Sequence, residues 1–192
     1  MTRGFVALVA AAALMAGTDH ARAQGFFDSR EDIMAGGPNF YGTGASPIPR
    51  TTVNYPSNYA PGTIVVNTAE RRLYLVQPDG TAIRYGIGVG RDGFRWSGVH
   101  RVSAKKEWPG WSPPSQMRRR RPDLPGHMAG GIDNPLGARA LYLGSTLYRI
   151  HGSNEPETIG QAVSSGCFRM TNDDVIDLYS RVRVGATVVV KN

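Results

Sequence analysis

The sequence predicts one mainly β domain over residues 63–191. Three observations carry this expectation. Short runs of β-branched and aromatic residues recur from Thr63 onward, turn residues separate them, and only two stretches show helical spacing.

The runs follow in order. TIVVN at residues 63–67 and RLYLVQ at 72–77 read as the first two strands. Pro78-Asp79-Gly80 then marks a hairpin connection to AIRYGIGVG at 82–90. Later strands are ALYLG at 140–144, LYRIHG at 147–152 and ATVVVK at 186–191. One short helix is expected at 157–164, ETIGQAVS. A second is expected at 172–182, NDDVIDLYSRV, with Thr171 or Asn172 as N-cap and Asp173 and Asp174 in its first turn, where negative charge suits the helix dipole. Its apolar face would be Val175, Ile176, Tyr179 and Val182. The two helices flank Cys167. Residues 108–136 carry no period and read as a long loop, ordered by Trp108 and Trp111 among prolines. No internal repeat and no second domain stand out.

Two segments precede the domain. Residues 1–23 read as a cleavable secretory signal, with Arg3, an apolar run at 5–16 and Ala21-Arg22-Ala23 as the small-residue cleavage site. That run is too short for a spanning helix, which needs about 20 residues. Residues 24–62 are rich in Gly, Pro, Ser and Asn and read as a flexible arm. The net charge of +7 suits anionic polymer or membrane surfaces. No nucleic-acid partner is expected.

Cys167 is the single cysteine of the chain. In an exported protein, an odd cysteine suggests an intermolecular bridge or a reactive thiol. A small buried hydrophobe is the alternative, and the count leaves both open. A nucleophilic thiol needs a base or a cation to help it ionise and donors to hold an oxyanion. His151, at the end of a strand, can be that base, and the missing side chain of Gly152 lets backbone approach the ring. Cys167 follows Ser165 and Gly166, a small-residue turn that can present backbone N–H groups. His100, His127, His151 and Cys167 lack a close ligand pair, so neither metal nor other cofactor is expected. His127 reads as an exposed loop residue or a groove residue, Arg118–Arg121 as a solvated face or an anion clamp, and Trp108 and Trp111 as packing residues or sugar platforms.

His151-Gly152, followed by Ser164-Ser165-Gly166-Cys167-Phe168-Arg169-Met170, resembles the signature of the L,D-transpeptidase (YkuD-type) catalytic domain. The likeness continues in GGIDNPLGARALYLG, NEPETIGQAVS and NDDVIDLYSRVRVGATVVV, and reaches back to TIVVNTAERRLYLV. Ser165 stands where many members have histidine, and Phe168 where they have Ile or Val.

The resemblance implies a β-sandwich-like fold and a cysteine-dependent acyltransferase of peptidoglycan biosynthesis, engaged in wall biogenesis and cell shape. Cys167 would attack the third residue of a stem tetrapeptide, expel the terminal D-Ala and pass the acyl group to an amine. The acceptor would be another stem peptide, a free D-amino acid or an outer-membrane protein. His151 would take the thiol proton, with its ring oriented by a backbone carbonyl near Gly152. The turn of Ser165, Gly166 and Cys167 would hold the oxyanion, and Arg169 would bind a substrate carboxylate or support the loop. The implied protein is a periplasmic, wall-associated monomer and a carbapenem target. Two other readings stand beside it: a non-catalytic wall-binding or structural protein with an inert Cys167, and a cysteine L,D-carboxypeptidase that uses water as acceptor.

Overall fold

The computed structural model describes residues 46–192, so the expected signal and most of the expected arm lie outside the described residues. Strands β1 (Thr51–Asn54), β2 (Ile64–Asn67), β3 (Arg72–Val76) and β4 (Thr81–Gly86) are followed by β5 (Val89–Gly90) and the long β6 (Gly98–Glu107). Helix α1 (Ser115–Arg120) precedes β7 (Arg139–Leu143) and β8 (Arg149–His151). After β9 (Ala162–Ser164) and β10 (Phe168–Arg169) come helix α2 (Asn172–Arg181) and β11 (Thr187–Lys191).

Nine strands form one sheet in the order β1-β4-β3-β2-β11-β6-β7-β8-β10, and β5 pairs with β9 in a separate ribbon. The β3–β4 hairpin closes where the turn residues predict. Asp79 accepts hydrogen bonds from the Thr81 N–H and hydroxyl, and Gly80 takes φ 74°, which glycine adopts without a Cβ clash. The middle strand β6 makes the sheet sandwich-like. Its first residues pair with β11 and its last with β7, with the register shifting between Val102 and Ala104. Such a bulge bends and twists a strand. The two halves of the sheet share one core, with Ile64, Val66, Leu73 and Leu75 from one half meeting Leu141, Leu143, Ile150 and Phe168 from the other.

Helix α2 forms where expected and its N-cap is Thr171, whose hydroxyl accepts from the Asp174 N–H. Its buried residues are Asp174, Val175 and Leu178, followed by Val182, and Tyr179 packs half-buried against the core, while Ile176 is 40% exposed and does not belong to this face. The other expected helix, at 157–164, does not form. A single 3-10 turn at Pro156–Thr158 gives way to β9. Gly160 takes φ 90°, outside helical geometry, and the main chain is claimed by pairing: Val89 N–H donates to Gln161 O and Arg91 N–H to Ser164 O. The second helix is instead α1, in the long loop. It is six residues long and buries none of them, so it leaves no hydrophobic period to read.

Part of the expected arm belongs to the domain. Thr51–Asn54 pairs antiparallel with β4, and Arg50 bridges to Asp174 at 3.3 Å and to Asp177 at 3.4 Å on α2. No helix among the described residues is long and apolar enough to cross a membrane.

Candidate active site

Strand pairing brings the two candidate residues, Cys167 and His151, to one face. β10 runs parallel to β8, with Phe168 beside Ile150 and Arg169 beside His151. Ile150 and Phe168 point into the core, at 0% and 1% exposure. Side chains alternate along a strand, so Arg149, His151 and Arg169 turn to the opposite side, and Cys167, one residue before Phe168, joins them. All four line one groove of about 340 Å³. Thiol and imidazole, far apart along the chain, therefore face the same cavity.

The imidazole is locked in one tautomer. His151 is buried, and its Nδ1 lies 2.6 Å from the carbonyl oxygen of Gly152. A carbonyl only accepts, so Nδ1 carries the hydrogen and Nε2 keeps its lone pair. Burial, aided by the positive charges of Arg169 and Arg149, lowers the His151 pKa to about 3, against the smaller raising effect of the Gly152 carbonyl. The ring is neutral at pH 7. Burial also raises the thiol pKa of Cys167, opposed in part by the Arg149 guanidinium, the Arg149 main-chain N–H and the charge of Arg169. The resting pair is a neutral thiol and a neutral base.

The turn before Cys167 is held from three sides. Ser164 Oγ donates to the Cys167 carbonyl at 2.6 Å and accepts from the Gly166 N–H at 3.1 Å. Trp96 Nε1 donates to the Gly166 carbonyl at 2.8 Å, and the Trp96 ring stacks on Tyr148. Gly166 has φ 109°, and a Cβ there would lie 2.6 Å from the Tyr148 ring, so glycine is needed for both backbone and space. These contacts correct one expectation: the Gly166 N–H is already bonded to Ser164 and is not available to an oxyanion. The Cys167 N–H has no backbone acceptor among the described residues. Ser165 lines the groove.

Gly152 is required for a different reason from the one its sequence position suggests. A Cβ there would lie 2.3 Å from Asn172 Oδ1, which accepts the Ala138 N–H, so the missing side chain makes room for α2 rather than for the imidazole. Arg169 is 1% exposed, pairs with Glu155 at 2.8 Å and donates to Thr158 Oγ1 at 3.2 Å. Of its two expected roles, these contacts serve support of the loop at 155–158.

The remaining candidates separate. His127 is exposed, with Nδ1 3.1 Å from Ser112 Oγ, and does not line the groove. His100 sits edge-on to Trp96. Trp111 is buried at the groove, where it pairs with Met128 through main-chain bonds, whereas Trp108 is 43% exposed. Of the arginine run, Arg120 alone reaches the groove lining. No group of three or more His, Cys, Asp or Glu is placed to hold a metal among the described residues. The groove residues not anticipated include Phe94, Tyr148 and Arg149. Arg149 carries a readable signal, being a charge two residues before His151 and so on the same side of the pleat.

Comparison with known proteins identifies a family. The family described as L,D-transpeptidase catalytic domain (YkuD) matches residues 61–190. The chain is 42% identical over 134 residues to the probable L,D-transpeptidase ErfK/SrfK of Escherichia coli, covering 65% of this chain and 42% of that protein. It thus spans less than half the length of that curated relative. A solved structure from Brucella melitensis, named a probable carnitine operon oxidoreductase, is 48% identical, with a TM-score of 0.51 and coverage of 74% of this chain and 92% of that one. L,D-transpeptidase 3 from Mycobacterium tuberculosis shares the fold at 16% identity, with a TM-score of 0.56 and coverage of 68% and 60%. A second structure of that protein is in complex with a faropenem-derived adduct.

Proposed function

The chain belongs to the L,D-transpeptidase catalytic domain family, and from that premise we propose that it is a cysteine acyltransferase acting on peptidoglycan stem peptides. The observation that supports this reading best is the pair of Cys167 and His151 on one groove face, with the imidazole tautomer set by the Gly152 carbonyl. The match over residues 61–190 favours acyl transfer over the redox activity named for the Brucella protein.

The donor stem lies in the groove with the carbonyl of its third residue over Cys167 Sγ. As sulfur attacks the carbonyl carbon, the thiol proton passes to His151 Nε2, which is the general base. The Cys167 N–H holds the oxyanion. The intermediate collapses by breaking the C–N bond, and His151 returns the proton to the leaving amine of D-Ala. An acceptor amine then attacks the thioester, again losing its proton to Nε2, and the thiolate leaves and is reprotonated. A neutral base suits both half-reactions, because an imidazolium could not accept either proton. The acceptor is a second stem peptide, a free D-amino acid or an outer-membrane protein amine, and the site of action is the periplasmic wall.

Incubating the protein with tetrapeptide stems and analysing products by mass tests the reading. Release of D-Ala with formation of a new amide supports it. Release of D-Ala with water as sole acceptor identifies a carboxypeptidase, and no release refutes both. The pH profile is a further expectation. With the His151 pKa lowered to about 3 and the thiol pKa raised, kcat/KM for acylation stays nearly level from pH 7 down to pH 6, and its acid limb lies well below 6.5. A profile that falls to half its maximum near pH 6.5 contradicts the neutral pair.

A further inference from the structure

Three arginines line the groove: Arg120, Arg149 and Arg169. Arg169 is engaged by Glu155, and Arg120 lies at the exposed end of α1 over the Phe94 ring. Arg149 differs from both. Its guanidinium lies 5.2 Å from the Tyr142 ring centroid, and Lys106 approaches the same ring at 5.8 Å. It forms no ion pair with a carboxylate among the described residues, and its buried Nε has no hydrogen-bond partner. A partly buried cation without a counter-ion is costly, and a bound anion would remove the cost.

Its position names the anion. β8 and β10 run parallel with Phe168 beside Ile150, so Cys167 stands abreast of Arg149. In a donor whose scissile carbonyl sits on Sγ, the carboxylate of the next residue is about 3–4 Å from that carbonyl carbon, from ordinary bond lengths. That places the carboxylate within reach of a guanidinium beside the thiol, and Arg binds carboxylates through paired N–H donors. Resting on the transpeptidase reading, we propose that Arg149 binds the terminal carboxylate of the expelled residue. The groove thereby selects donors whose chain ends one residue beyond the scissile bond.

The test compares a stem tetrapeptide with the same peptide carrying a C-terminal carboxamide, following release of the terminal residue by mass spectrometry. The wild-type protein is expected to favour the free acid by about 10- to 100-fold in kcat/KM, the range of charge-assisted hydrogen bonds. In Arg149→Gln the acid-to-amide ratio falls to about one, and Arg149→Lys, which keeps the charge, retains part of it. A merely structural role would slow both peptides alike and leave the ratio in place. A wild-type ratio near one, or a ratio that survives in Arg149→Gln, overturns the proposal, and the wild-type comparison needs no variant to fold. If the wild-type protein releases nothing from either peptide, the transpeptidase reading itself fails and the proposal falls with it.

Discussion

Cys167→Ala is expected to lower turnover of stem peptides by at least about 10⁴-fold while leaving the fold intact. Removing the nucleophile from a covalent catalyst leaves only binding and oxyanion stabilisation, and losses of this order or larger follow. No second thiol exists in the chain to substitute. Ser164 and Ser165 are close by, but Ser164 Oγ is committed to the Cys167 carbonyl and the Gly166 N–H, and a hydroxyl is a weak nucleophile near pH 7 without a dedicated base. Cys167 is only half-buried as a residue, so the alanine variant opens little cavity. Circular dichroism and a melting curve check the fold, and a turnover assay checks the loss. Substantial activity in a folded Cys167→Ala protein would end the covalent reading.

His151→Gln is expected to slow acylation by about 10² to 10⁴-fold, the usual contribution of a general base. It should also change the shape of the pH profile. Burial raises the thiol pKa, so without an acceptor for its proton the residual rate must follow spontaneous ionisation and climb as the pH rises from 6 to 9. The wild-type profile is level over the lower part of that range. Single-turnover acylation of both proteins across pH distinguishes them, and a variant with the wild-type rate and profile would show that another group activates Cys167.

The candidate catalytic residues stood out in the sequence because their types are rare and their surroundings distinctive. A lone cysteine after small residues and a histidine at a strand end stand out from any count. The β3–β4 hairpin and the Thr171 cap were legible for a similar reason, since local side-chain bonds determine them. What stayed hidden depends on partners distant in sequence. Residues 157–164 have helical spacing, but parallel pairing with Val89–Gly90 decides their conformation. Thr51–Asn54 looks like arm until β4 supplies its ladder and Arg50 finds Asp174 and Asp177. The Gly166 N–H looks like an oxyanion donor until Ser164 claims it. Arg149 enters the groove only through the register of β8 against β10.

In the proposed reaction Cys167 forms a covalent acyl-enzyme. A carbapenem presents a strained acyl group to any competent nucleophile, and its adduct lasts long enough to be weighed. Intact-mass measurement after exposure, followed by peptide mapping, should find one carbapenem on Cys167 and none on Ser164, Ser165 or any other serine. The Cys167→Ala protein should gain no mass. An adduct mapped to a serine, or one that persists in Cys167→Ala, would show that Cys167 is not the nucleophile.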